Sequence, residues 1–127
     1  MRNKMRGMTL IELIVVMAIV AVLASIAIPS YRQYLLRSHR AEAKSALLNL
    51  AAAQEKFSLQ NNSFTDALHD APLDFLNEPA TTENGHYTIA IDDADAETFT
   101  ATATAAGGQA DDTDCATFTI DQAGTRT

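Results

Sequence analysis

The chain has 127 residues, enough for one small domain beside a membrane segment. Sixteen acids against nine Lys and Arg give a net charge of −7, and from Phe57 onward thirteen acids face a single base, Arg126. A C-terminal part this acidic lacks the Lys and Arg that sequence-independent phosphate contacts require, so no direct nucleic-acid binding is expected. No nucleophile–base pair, CxxC spacing or phosphate loop is visible in the sequence, so neither an enzyme nor a cofactor is expected.

Residues 1–7, MRNKMRG, are short and basic, with Arg2, Lys4 and Arg6. The next stretch, Met8 to Ile28, reads MTLIELIVVMAIVAVLASIAI, and twelve of its twenty-one residues are Leu, Ile or Val. As a helix it spans roughly 31 Å, the thickness of a bilayer's hydrocarbon core. Those twelve side chains favour insertion by about 4–7 kcal/mol, against a cost of up to about 3 kcal/mol for the one full charge, Glu12. Insertion wins, and the carboxylate one turn into the segment needs a partner. An ordinary secretory signal with cleavage near Ala24-Ser25-Ile26-Ala27 and a plain anchor are the rival readings. Arg32, Arg37 and Arg40 balance Arg2, Lys4 and Arg6 across the segment, so charge counting leaves its orientation open.

The junction Gly7-Met8-Thr9-Leu10-Ile11-Glu12-Leu13 strongly resembles the cleavage and methylation site of type IV pilins. The resemblance implies that a prepilin peptidase cuts after Gly7 and that Met8 becomes an N-methylated first residue, where the family usually has Phe. It also implies that Glu12, fifth in the mature chain, pairs with the amino terminus of an adjacent subunit. The physics fits: the cut removes three positive charges, leaving six bases against sixteen acids, and creates an ammonium in the apolar zone. Glu12 lies four residues on, along the same helix face.

Pro29 follows the apolar run and either ends the segment or kinks a longer helix. Beyond it, YRQYLLRSHRAEAKSALLNLAAAQEKFSLQ has no Gly or Pro and is rich in helix formers. Ala43, Leu47, Leu50, Gln54 and Phe57 recur at steps of four and three, an apolar stripe with one polar break. One long, kinked helix from about Met8 to Gln60 is expected, a shape pilins share.

Residues 61–85 are read as a connection, punctuated by Asn61, Asn62, Pro72, Pro79, Asn84 and Gly85, with a short turn over 63–68. Gln54-Glu55-Lys56-Phe57 followed by Asn61-Asn62-Ser63-Phe64-Thr65 resembles the end of the long helix in PilE-type minor pilins. Three alternating runs follow, with Tyr87, Ile89 and Ile91 on one face of the first. Phe99, Ala101, Ala103 and Ala105 share a face of the second, and Ala116, Phe118 and Ile120 a face of the third. Period two and short polar connections indicate an antiparallel meander whose apolar face needs the helix as cover. The fold class is α+β: a long kinked N-terminal helix, transmembrane in its first half, packed on a small antiparallel sheet of three or more strands. Its parts are a leader (1–7), a transmembrane and assembly half-helix (8–29) and a head outside the inner membrane (30–127).

Asp92, Asp93, Asp95 and Glu97 cluster in the first hairpin loop, and Asp111, Asp112 and Asp114 in the second. Oxygen-rich clusters suit calcium, and major pseudopilins resemble this in carrying such a site. No glycine sits where an EF-hand loop needs one, so acidic surface turns are the plainer reading, with the first cluster a minor calcium candidate. His39, His69 and His86 show no ligand spacing and are read as solvated surface. Ala106-Gly107-Gly108-Gln109 to Asp114-Cys115 resembles the approach to the first of two cysteines in PilE-type proteins. Cys115 has no partner within 127 residues. A free buried thiol, an intermolecular bond, or a native chain continuing past Thr127 all remain open.

The resemblance covers residues 1–30 closely and 50–65 and 105–124 more loosely. It implies a type IV pilus subunit, held in the inner membrane by one span and then extracted into an extracellular fibre. Its partners are prepilin peptidase, the inner-membrane assembly machinery and other pilin subunits, met by helix–helix packing. Motility, adhesion and DNA uptake are the roles such fibres serve. A type II secretion pseudopilin and an anchored periplasmic binding module are the alternatives.

Overall fold

The computed structural model describes residues 7–68 and 80–127. His69, Pro72 and Pro79 lie outside the described residues. The chain divides into two compact units, Met1–Leu35 and Leu36–Thr127.

Helix α1 runs Leu10–Asn61, 52 residues with Pro29 inside it, within two residues of the expected span at each end. It stops where the sequence signals: Asn62 takes φ 54°, the left-handed conformation of a residue just past a helix end. Its N–H still reaches the Ser58 carbonyl at 2.8 Å, and the Asn61 side-chain amide donates to the Phe57 carbonyl at 3.0 Å. The first of these occupies a carbonyl of the last turn, which no residue within the helix can reach.

In the second unit, strands β1 (Tyr87–Ala94), β2 (Phe99–Ala105) and β3 (Thr117–Asp121) form an antiparallel meander in the order β1-β2-β3. The expected alternation holds, with Tyr87, Ile89, Phe99, Ala101, Ala103 and Ile120 buried against Ala43, Leu47 and Leu50 of α1. Fully burying a Leu or Ile stabilises the fold by about 1.5–3 kcal/mol. The central strand contributes Ala101 and Ala103, both wholly inaccessible, so its inward face is thin where Leu47 and Leu50 join the cluster. Phe64, from the connection after α1, packs on Phe99 with ring centroids 5.0 Å apart.

Gln54, the polar break in the stripe, is fully buried yet satisfied. Its Nε2 donates to the Thr65 carbonyl and its Oε1 accepts from the Thr65 N–H at 3.1 Å, so one amide clamps the chain leaving the helix. Both sheet edges are covered in part. Ala80 to Thr82 bond to β1 through the Ile89 N–H to Ala80 carbonyl and the Thr82 N–H to Tyr87 carbonyl bonds. Beside β3, Thr125 to Thr127 return antiparallel, with Thr119 and Thr127 exchanging backbone bonds at 2.9 and 3.3 Å. Covered edges remove the unpaired donors and acceptors that invite strand addition.

Candidate functional site: the exposed apolar half-helix

All twelve Leu, Ile and Val side chains between Met8 and Ile28 are exposed, from Val16 at 47 % to Leu10 at 75 %. Isolated exposed apolar residues are ordinary, but a continuous surface of this size marks a membrane or protein contact. By length and composition the helix is able to cross a membrane.

Glu12 makes a local contact with Thr9 that joins no second subunit. Thr9 and Glu12 form a reciprocal cap: the Glu12 N–H donates to Thr9 Oγ1 at 3.3 Å, and the Thr9 N–H donates to Glu12 Oε2 at 3.3 Å. The Thr9 hydroxyl also donates to that carboxylate at 3.4 Å. The spacing Thr-x-x-Glu ahead of an apolar run is the signal for this arrangement. Glu12 is thus held at the first helical turn by its own chain, close to Met8 in sequence and exposed, as are Gly7 and Pro29.

The acidic run before β2 is placed differently from expectation. Strand β1 continues through Asp92 and Asp93 to Ala94, with a bulge between Ile91 and Asp93. Asp92 accepts from the Thr102 hydroxyl. Asp95 Oδ1 accepts from the backbone N–H groups of Glu97 at 2.7 Å and Thr98 at 2.6 Å, and these bonds lower its pKa. Asp95 is therefore a turn-former, and among the described residues no three His, Cys, Asp or Glu side chains form a metal-holding group.

A polar network in the head was not foreseen. Asp112, read as a solvated loop acid, is buried and takes two hydrogen bonds from Arg40, Nε to Oδ2 and Nη2 to Oδ1, each 2.6 Å. The bond from Arg40 outweighs burial and holds the Asp112 carboxyl below the usual carboxylate range. His39 and His86, read as scattered surface residues, are half-buried and stacked, with centroids 3.7 Å apart and planes at 12°. Burial acts to raise the Glu42 carboxyl, but bonds from Thr82, His86 and Asn84 prevail and hold it at about 2. Nothing in the spacing of residues 39, 42, 86, 109 and 112 signals this long-range assembly.

The family described as "Type IV minor pilin ComP, DNA uptake sequence receptor" matches residues 29–119, and the "Prokaryotic N-terminal methylation motif" matches residues 2–28. The chain belongs to this family of type IV minor pilins. It is 44 % identical over 61 residues to the type IV major pilin PilA of Myxococcus xanthus, covering 48 % of this pilin and 28 % of that one. It is 44 % identical over 55 residues to the fimbrial protein EcpC of Eikenella corrodens, covering 43 % and 33 %. Against the major fimbrial protein FimA of Dichelobacter nodosus it is 49 % identical over 45 residues, covering 35 % and 28 %. The matched stretch thus spans about a third or less of each of these relatives. The pilin's fold is similar to that of the non-core minor pilin PilV of Neisseria meningitidis, with a TM-score of 0.52 over 74 % of this chain and 86 % of that one. At 16 % identity this likeness bears on the fold alone.

Proposed function

We propose that the chain is a structural subunit of a type IV pilus, a reading carried by its long, apolar and exposed half-helix. Prepilin peptidase cuts between Gly7 and Met8, Met8 is N-methylated, and residues 8–29 hold the subunit in the inner membrane as a single span. Assembly then moves the half-helix into a bundle with other subunits, exchanging lipid contacts for helix packing. Glu12 supplies the charge that meets a subunit's new amino terminus, and Pro29 marks the end of the assembly segment. The matched methylation motif over residues 2–28 supports the processing step.

The Thr9–Glu12 cap sharpens the test of Glu12. Glutamine at the third helical position caps as glutamate does, so Glu12→Gln retains the cap and removes the charge. Glu12→Ala removes both. In a complementation assay both variants are expected to be cleaved but to fail in pilus incorporation. Normal incorporation of Glu12→Gln together with failure of Glu12→Ala assigns the residue to helix capping and overturns the charge-pairing role.

The description of the matching family supports a second role, contact of the pilus with DNA. The acidic head opposes it, whereas a groove of about 350 Å³, lined by Lys44, Leu47, Phe118, Thr119, Arg126 and Thr127, favours it. Lys44 Nζ stands 5.7 Å from the Phe118 ring centroid, and Arg126 is the single base after Phe57. Two cations beside an aromatic ring suit a phosphate with a stacked base, as single-strand binders use.

A further inference from the structure

We propose that the stacked His39–His86 pair is an acid-sensitive latch, holding the 3₁₀ segment Gly107–Asp111 and its Asp112 cap against α1 at neutral pH and loosening it when both rings are protonated. The hydrogen-bond network assigns the protons. Gln109 Nε2 has three acceptors around it, the Leu36 carbonyl at 3.0 Å, the Tyr87 hydroxyl at 2.9 Å and Asp112 Oδ2 at 3.2 Å, which take up both of its protons. Its Oε1 is then an acceptor, and His39 Nδ1, 2.9 Å away, is the donor. His86 Nδ1 stands 2.8 Å from Glu42 Oε2 and donates to it. Each neutral ring therefore carries its proton on Nδ1, and a second proton goes to Nε2.

A first added proton is tolerated, because an imidazolium beside Glu42 is paired and a cation over a neutral ring is attractive. A second puts two positive charges on rings 3.7 Å apart. Relief requires one ring to leave. If His39 leaves, the buried Gln109 carbonyl oxygen loses its donor, which is costly for a side chain only 1 % exposed.

The surrounding charges stay constant through the relevant interval. From α1, Arg40 remains protonated, Arg37 adds positive charge near Asp112, and Glu42 remains ionised. From the 107–115 region, Asp112 remains ionised, and Asp114 and Cys115 act on Arg40. Glu83 lines the same groove as Glu42, and Asp111 adjoins Asp112 in sequence. On β1, burial keeps the Tyr87 hydroxyl above its usual value and neutral. Histidine is the one side-chain type among these that ordinarily titrates between pH 7 and 5.

The test uses the full chain in detergent micelles. Amide hydrogen exchange is read at Gln109 and Asp112, whose N–H groups bond within the segment to Ala106 and Gln109 carbonyls. After correction for intrinsic rates, protection is expected to fall about tenfold from pH 7 to pH 5 in the native chain. It is expected to change less than about twofold in His39→Phe and His86→Phe, which keep a stacked ring without its charge. Equal protection at both pH values in the native chain, or equal loss in both variants, overturns the latch.

Discussion

Arg40 and Asp112, 72 residues apart in sequence, meet in a two-pronged ion pair with both N–O distances at 2.6 Å. Arg40 lies on α1, and Asp112 lies between the two 3₁₀ segments that separate β2 from β3. The pair ties that crossover to the helix. Here Cys115 is the single cysteine, half-buried and free.

Removing one partner from this pair leaves the other charge without its two bonds. Asp112→Ala is expected to lower the head's Tm by on the order of 5 °C or more. Arg40→Lys keeps the charge but not the flat fork of donors, and is expected to lower it by less. Circular dichroism melts of the three chains check the order.

Acid stability follows from Glu42 and Asp112, whose pKa values are lowered in the fold. The Glu42 carboxyl moves from 4.5 to about 2. A group depressed by folding stabilises above its unfolded value and loses that contribution as pH falls through the folded one. Global stability is therefore expected to fall between about pH 4.5 and 2, and Glu42→Gln to flatten that fall. Urea midpoints across this interval measure it.

The core makes a separate prediction. Leu50 is 1 % exposed and packs in the cluster shared by α1 and the sheet. Leu50→Ala is expected to destabilise the head by about 2–5 kcal/mol. Gln54→Leu, nearly the same size, leaves the Thr65 N–H and carbonyl without their clamp and is expected to cost about 1–3 kcal/mol. Denaturant unfolding of the full chain gives both values.

The DNA contact is tested at the groove beside Phe118. If Lys44 and Arg126 each meet one phosphate of a duplex, log affinity falls against log salt with a slope of about −1.8. Single strands give about −1.4 for the same two contacts. Lys44→Ala with Arg126→Ala is expected to abolish the salt-dependent part, measured by fluorescence anisotropy with labelled DNA. Unchanged binding in the double variant removes the groove from the DNA reading.

What the sequence made legible were features set by local periodicity. The 43-47-50-54-57 stripe gave the buried face of α1, and the alternation through Tyr87, Phe99 and Phe118 gave three strands in the right phase. Asn62 gave the helix end, because a helix needs a residue tolerant of positive φ just past it. The His39–His86 stack and the burial of Asp112 stayed hidden because each joins α1 to residues 47 to 72 positions away, and no spacing rule reaches that far. Asp92 and Asp93, expected in the first hairpin loop, lie in β1, where a bulge and the Thr102 hydroxyl accommodate them. The Thr9–Glu12 cap is written in four residues of sequence, as Thr-x-x-Glu ahead of an apolar run.

Processing is expected to free an amino terminus at Met8, one turn ahead of Glu12. Intact-mass and N-terminal peptide spectrometry of the chain purified from membranes or fibres tests it most directly. The expected product begins at N-methylated Met8. A chain that retains MRNKMRG, or one that begins near Ile28, contradicts it.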